Sequence, residues 1–307
     1  MTPTAAAIFG PTAVGKTDLS IRLAQYLGGQ IISVDSMQVY RYLNIGTAKP
    51  SQDELSAVRH HLIDIIDPDQ KYSAADFRDS AETLIMQLSQ SGIMPLLVGG
   101  TGLYYNALFR GLIDIPPVSQ DVRMKLNELY TEKGQPYLYG MLQEHDPDYA
   151  SCIHANDKQR TNRALEVFLG TGRTFSSYLA TDNHKKDIRY IKIGLNTDRN
   201  ILYERINRRV DIMMDMGLTD EVQNVLAMGY PENCPGMKGI GYKETIDYLN
   251  NRCSEEEMIY NIKQNTRHYA KRQLTWFRGI DDVQWFDVSD QDIFNKVKNY
   301  IESKLHE

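Results

Sequence analysis

Short apolar runs alternate with longer segments of helical period along the first hundred residues. AAAIFG ending at Gly10, QIISVDS at 30–36 and IMPLLVGG at 93–100 are apolar stretches that close on Gly, Asp or Ser. Runs this continuously apolar read as parallel strands covered on both faces. IRYIKIGL at 188–195 has the same character. From Lys16 to Tyr26 the spacing is helical, with Leu19, Leu23 and Leu27 on one face, and Ser73 to Gln90 reads as another helix. This alternation predicts a doubly wound α/β core with a parallel sheet, in which ligands bind beyond the carboxyl ends of the strands.

Between Pro116 and Asp187 the pattern becomes polar and mostly helical, with few sustained strand candidates. The expected organisation is a core formed by residues 1–115 and 188–307, interrupted by a helical insertion domain at 116–187. After Thr197 three further segments have helical period: NILYERINRRVDIMMDMG, EEMIYNIKQNTRHYAKRQLTWF and QDIFNKVKNYIESKL. No run of eighteen apolar residues occurs, so no membrane span is expected. MTPTAAAIFG lacks a basic n-region and does not read as a signal peptide. No separate assembly element is evident, and the expectation is a monomer.

Charge narrows the function classes. The chain has 42% hydrophobic and 24% charged residues and a formal net charge of −6, which argues against indiscriminate coating of nucleic acid. From Met258 to Ile280, however, there is no Asp or Glu, while Lys263, Arg267, Lys271, Arg272 and Arg278 all occur. Such a face can guide a polyanion on an otherwise acidic protein. Tyr269, Trp276 and Phe277 lie among these cations, either to pack on RNA or as core residues of an amphipathic helix. Cys152, Cys234 and Cys253 form no CxxC pair. Free thiols and a cytoplasmic location are therefore expected.

The most specific motif is Gly10-Pro11-Thr12-Ala13-Val14-Gly15-Lys16-Thr17, a complete GxxxxGK[ST] between a strand and a helix. Its glycines let backbone amides face phosphate oxygens, Lys16 supplies a positive charge, and Thr17 is placed to hold Mg²⁺. The motif establishes phosphate chemistry without choosing between ATP and another diphosphate. Asp35 and Ser36 follow the second strand, where a carboxylate can take a proton, organise a metal ion or cap a helix. The Gln38 amide can donate and accept at once, as base recognition requires. Gly99-Gly100-Thr101-Gly102 follows the third strand and offers close approach and an uncharged hydroxyl. His60 and His61 have no neighbouring ligands that would complete a zinc site.

Taken together, GPTAVGKT at 10–17, DSMQVY at 35–40, IGTAKP at 45–50, HHLIDI at 60–65 and VGGTGLYYNAL at 98–108 resemble the tRNA dimethylallyltransferase family, also called the isopentenyltransferases acting on tRNA. NDKQRTNRALEV at 156–167, GLTDEV at 217–222, KGIGYKE at 238–244 and TRHYAKRQLTWFR at 266–278 extend the resemblance over nearly the whole chain. The resemblance implies that the phosphate loop holds the diphosphate of dimethylallyl diphosphate, with Mg²⁺. The acceptor it implies is N6 of adenine 37, in the anticodon stem-loop of tRNAs reading codons that begin with U. It places the general base on Asp35, the phosphate lysine on Lys16, an active-site threonine on Thr101 and a catalytic arginine on Arg209, beside the neighbouring Arg208. Ser36 and Gln38 are implied as contacts to the acceptor adenine. Lys158, Gln159, Arg160 and Arg163 in the insertion, with Lys263, Arg267, Lys271 and Arg272, are expected to contact tRNA. Tyr42-Leu43-Asn44 departs from the family's usual Gly-Met-Asp, so altered loop packing is expected there. The competing activities are an ATP-dependent nucleoside or metabolite kinase, separable by following label from ATP or from the allylic donor, and a non-catalytic RNA-binding module.

Overall fold

A computed structural model describes residues 2–113, 115–179 and 187–306, and the chain divides into two compact units. The larger, residues 1–109 and 186–307, is built on β1 (Thr4–Phe9), α1 (Lys16–Leu27), β2 (Gly29–Val34), α2 (Gln52–Ala57), β3 (His60–His61), α3 (Ala74–Gln90), β4 (Met94–Gly99) and α4 (Gly102–Arg110). The smaller, Arg110–Lys185, contains α5 (Gln120–His145), α6 (Pro147–Ser151), α7 (Lys158–Thr171) and α8 (Phe175–Leu179). The chain then returns through β5 (Arg189–Asn196), α9 (Arg199–Asp215), α10 (Leu218–Ala227), α11 (Tyr242–Leu249), α12 (Glu255–Phe277), β6 (Gln284–Asp287) and α13 (Ile293–Leu305).

The six strands form one parallel sheet in the order β3-β2-β4-β1-β5-β6. Ala5 to Phe9 of β1 are fully buried, as a central strand covered on both faces must be. Alternate residues serve opposite faces. Ala6 and Ile8 join a core with α1, α9 and α13, whereas Ala5, Ala7 and Phe9 join a core with α3, α4 and Phe277. Two of the strands are absent from the apolar pattern. β3 has only two residues, and β6 is a four-residue edge strand whose ends are exposed. A third core, between α9, α10, α11 and α12, also takes in Val39, Tyr40 and Leu43.

Helix boundaries follow local chemistry. Ser73 and Ser254 each accept from the backbone N–H three residues on, while Asp76 and Glu257 return the bond, closing capping boxes at α3 and α12. In the smaller unit, Gly134 interrupts α5 with φ 76°, and Pro136 lies just beyond the break. Leu126, Leu138, Leu142, Ala164 and Leu165 close that unit's own core.

Candidate active site

β2, β4 and β1 are neighbours in the sheet, so the loops after them converge. After β1, the phosphate loop leads into α1, with Ala13 at φ 62° and Gly15 at φ 105°. Left-handed residues within such a turn direct successive amides toward one side and create a concave anion site. After β2 comes Asp35, and after β4 come Gly100 and Thr101. These loops border a cleft of about 310 Å³ lined by Thr12, Ala13, Gly15, Lys16, Thr17, Asp35, Gln38, Gly100 and Arg209, among others. Gly10, Pro11 and Val14 of the same loop are buried.

Lys16 Nζ donates to the Gly10 and Pro11 carbonyls at 2.9 and 2.8 Å, which extends it across its own loop. Burial, reinforced by the Arg209 charge, brings its pKa down to about 7, against the opposing pull of Asp35. Burial likewise raises the Asp35 carboxyl above its ordinary value, although Met37 N–H and Lys16 act in the opposite sense. Asp35 Oδ1 accepts from the amides of Met37 at 2.9 Å and Gln38 at 3.4 Å. One carboxylate oxygen thus caps the turn at residues 36–39, where no helix begins, while Asp35 also lines the cleft.

Thr101 Oγ1 accepts from Ser36 N–H at 3.0 Å and donates to Ser36 Oγ at 3.4 Å. The loops after β2 and β4 are thus joined side to side. Gln38 accepts from Ser33 Oγ at 2.9 Å and donates to Ala48 O at 3.2 Å, so its amide fixes the 45–50 loop over the cleft. Arg209 is half-buried and faces the cleft from α9, whereas Arg208 is exposed. The arginine pair is thereby distinguished by orientation.

The basic residues of α12 divide into two groups. Lys263 pairs with Asp211 and Arg267 donates to Asn207 Oδ1 at 2.7 Å, tying α12 to α9. Lys271 and Arg272 are exposed and, with His268, Thr275 and Trp276, line a separate cleft. Phe277 is a core residue, stacked on Phe9 at 4.9 Å between ring centroids. Of the two roles left open for this aromatic, the core one holds, because the inward side of α12 covers the sheet. Tyr269 lines the active-site cleft, with the side chains of Thr101 and Gln273 as polar neighbours of its hydroxyl. Within the smaller unit, Lys158, Gln159 and Arg160 are exposed near the start of α7. Lys158 lies over the Tyr130 ring, Arg160 pairs with Asp157, and Arg163 pairs with Glu166.

Three residues that the sequence reading passed over shape this site. Gln273 bonds to Thr12 N–H and to Gly100 O. Arg205 Nη1 donates to Val14 O at 3.2 Å and supports the phosphate loop from α9. Glu221 accepts from the amides of Asn44, Ile45 and Gly46 and from the Tyr242 hydroxyl, anchoring the 45–50 loop. Long-range contacts such as these have no local periodicity, although Glu221 and Tyr242 lie inside the quoted GLTDEV and KGIGYKE stretches. The departure at residues 42–44 has a backbone correlate. Tyr42 adopts φ 68°, a conformation that glycine enters without the Cβ penalty, and Leu43 is fully buried in the third core.

Comparison with known proteins bears on the family of this chain. The IPP transferase family model matches residues 38–280. A tRNA dimethylallyltransferase of Thermotoga maritima is 46% identical over 289 residues, covering 94% of this chain and 93% of its own. One from Bacillus cereus strain AH187 is 45% identical over 301 residues, covering 98% and 95%. The crystal structure of the full-length tRNA isopentenylpyrophosphate transferase from Bacillus halodurans has a TM-score of 0.74 and 42% identity, covering 99% of this chain and 97% of that one. A eukaryotic dimethylallyltransferase acting on tRNA gives a TM-score of 0.81 at 28% identity, covering 99% and 79%. With its family-model match and near-full-length relatives, the chain belongs to the tRNA dimethylallyltransferase, or IPP transferase, family.

Proposed function

We propose that this protein transfers the dimethylallyl group of dimethylallyl diphosphate to N6 of adenine 37 in tRNAs reading codons that begin with U. The observation that carries the reading is the meeting of Asp35 with Lys16 and Arg209 in one cleft. A base and a diphosphate-binding pair thereby share the space in which an amine would attack an allylic carbon.

Adenine N6 is a weak nucleophile because its lone pair is delocalised into the ring. Asp35 Oδ1 is occupied by loop amides, which fixes the carboxylate and leaves Oδ2 for the amine. As the N6–C bond forms and the C–O bond to diphosphate breaks, the N6 proton passes to Asp35 and the bonding electrons leave with diphosphate. A carboxyl with a raised pKa is a better proton acceptor than an ordinary one. Lys16, Arg209 and the phosphate-loop amides stabilise the charge developing on diphosphate. Thr101 and Ser36 hold the neighbouring loop edge where the base would rest.

The donor set also fits Mg²⁺, which binds through few protein oxygens and the substrate's phosphates. Thr17 would hold it beside the diphosphate, and the ion would supply charge neutralisation. Gln38 serves the base indirectly through the 45–50 loop. The tRNA would be gripped by Lys271 and Arg272 on α12 and by Lys158, Gln159, Arg160 and Arg163 on the helical insertion. The adenine must leave the anticodon stack to react. No helix among the described residues is long and apolar enough to cross a membrane; action in the cytoplasm, where the three free thiols would stay reduced, and a monomeric state are part of this proposal.

The test is mass spectrometry of unmodified tRNA incubated with protein, Mg²⁺ and dimethylallyl diphosphate. The expected product has one added dimethylallyl group at adenine 37. Asp35→Asn is expected to slow transfer by about 10²–10⁴-fold while leaving tRNA affinity intact. Unchanged turnover in that variant removes Asp35 from the base role.

A further inference from the structure

Gln273 is 5% exposed, and its carboxamide is engaged at both ends. Oε1 accepts from Thr12 N–H at 2.8 Å, and Nε2 donates to the Gly100 carbonyl at 2.8 Å. The opposite amide orientation would place donor against donor and acceptor against acceptor, so these two partners dictate it. One side chain of α12 therefore spans the loop after β1 and the loop after β4. Gly100 makes the approach feasible, because a Cβ there would lie 2.2 Å from Nε2. Lys271, Arg272 and Trp276 stand exposed on the same helix.

We propose that Gln273 is a positioning residue. It sets the separation between the diphosphate held by the phosphate loop and the acceptor base held beside Asp35 and Thr101. Because it projects from α12, it also makes that separation depend on the helix whose outer surface meets RNA. The identity of the two substrates rests on the prenyl-transfer reading above, while the two-loop clamp rests on the geometry alone. Alkyl transfer needs its reacting atoms in near-attack geometry, and a displacement of about 1 Å can cost about 100-fold in rate.

Two substitutions separate this role from simple packing. Gln273→Met keeps the side chain's length and removes both hydrogen bonds. Gln273→Glu keeps the acceptor for Thr12 N–H, but its carboxylate cannot donate to Gly100 until it is protonated. The measurements are kcat and KM for transfer, calorimetric binding of inorganic diphosphate, tRNA affinity and the thermal unfolding midpoint. For Gln273→Met the expected result is a fall of about 100-fold in kcat, weaker diphosphate binding and unchanged tRNA affinity. For Gln273→Glu, activity relative to the unsubstituted protein should rise as pH falls from about 8 to about 6, since burial favours the protonated carboxyl.

A Met variant that keeps both kcat and diphosphate affinity close to the parent values overturns the proposal. So does a Glu variant whose relative activity is flat with pH. If the Met variant does not fold, the Glu pH profile decides. If the unsubstituted protein binds diphosphate yet alkylates no tRNA, the substrate reading fails. Diphosphate affinity in Gln273→Met then still tests the clamp.

Discussion

Removal of the Glu221 carboxylate should loosen the 45–50 loop more than any other single change on α10. It accepts from Asn44 N–H at 2.9 Å, Ile45 N–H at 2.8 Å, Gly46 N–H at 3.2 Å and the Tyr242 hydroxyl at 2.6 Å. In Glu221→Ala the Asn44 amide, which is exposed, can turn to water at little cost. The Ile45 and Gly46 amides are partly buried and the Tyr242 ring is fully buried, so these donors lose an anionic acceptor without full hydration. At about 1–3 kcal/mol for each orphaned group, and with some carboxylate desolvation relieved, the net cost is about 2–4 kcal/mol. A chain of two compact units need not unfold in a single step, so the local readout is amide hydrogen exchange at residues 44–48. The expected acceleration is about 30- to 1000-fold, at tenfold for each 1.4 kcal/mol. Because Thr47, Ala48 and Pro50 line the cleft, KM for the donor should rise as well. Exchange at Ile45 and Gly46 within a factor of about three of the parent, less than about 0.7 kcal/mol, refutes the assignment of Glu221 as the anchor.

Three other perturbations probe separate parts of the site and core. Burial brings the Lys16 pKa down to about 7 in the free protein, and its ammonium form is the one proposed to bind diphosphate. Binding must therefore draw in a proton above that pH, and donor affinity should fall with rising pH by up to about tenfold per unit; calorimetry showing constant affinity from neutral to alkaline pH contradicts the assignment. Arg209→Ala should lower kcat/KM by about 10²-fold, whereas exposed Arg208→Ala should match the parent, and the reverse pattern in steady-state kinetics reassigns the role. Phe277→Ala removes a fully buried ring from beside Phe9 and Tyr105. It should destabilise the larger unit by about 3–5 kcal/mol, and a denaturation midpoint close to the parent's would show that the cavity collapses.

The parts of the fold that were legible in the sequence are those with a repeating local cause. β1, β2, β4 and β5 are continuous apolar runs, and α1, α3, α9 and α12 carry an apolar stripe. β6 lacks such a signal because Gln284 and Asp287 at its ends are exposed, and β3 is too short to show any period. At the site, the phosphate loop and Asp35 could be read from spacing and position. Gln273 could not, since a buried amide among the cations of α12 looks like any polar helix residue until its partners are known. The same holds for Glu221, whose importance comes from three amides on a distant loop. Phe277 shows the converse limit, because an aromatic in a basic segment satisfies both an RNA-facing and a core pattern.

The clamp at Gln273 has a consequence for how the chain matures. Its bond to Thr12 joins residues 261 positions apart. The central strand β1 likewise pairs with β4 before the helical insertion and with β5 after it. During synthesis, which proceeds from the N-terminus at about 5–20 residues per second, the phosphate loop emerges early but waits for its last brace until α12 has been made. The anion-binding turn is made well before its brace, and the closing contact arrives only after the helical insertion and α12 have followed it out.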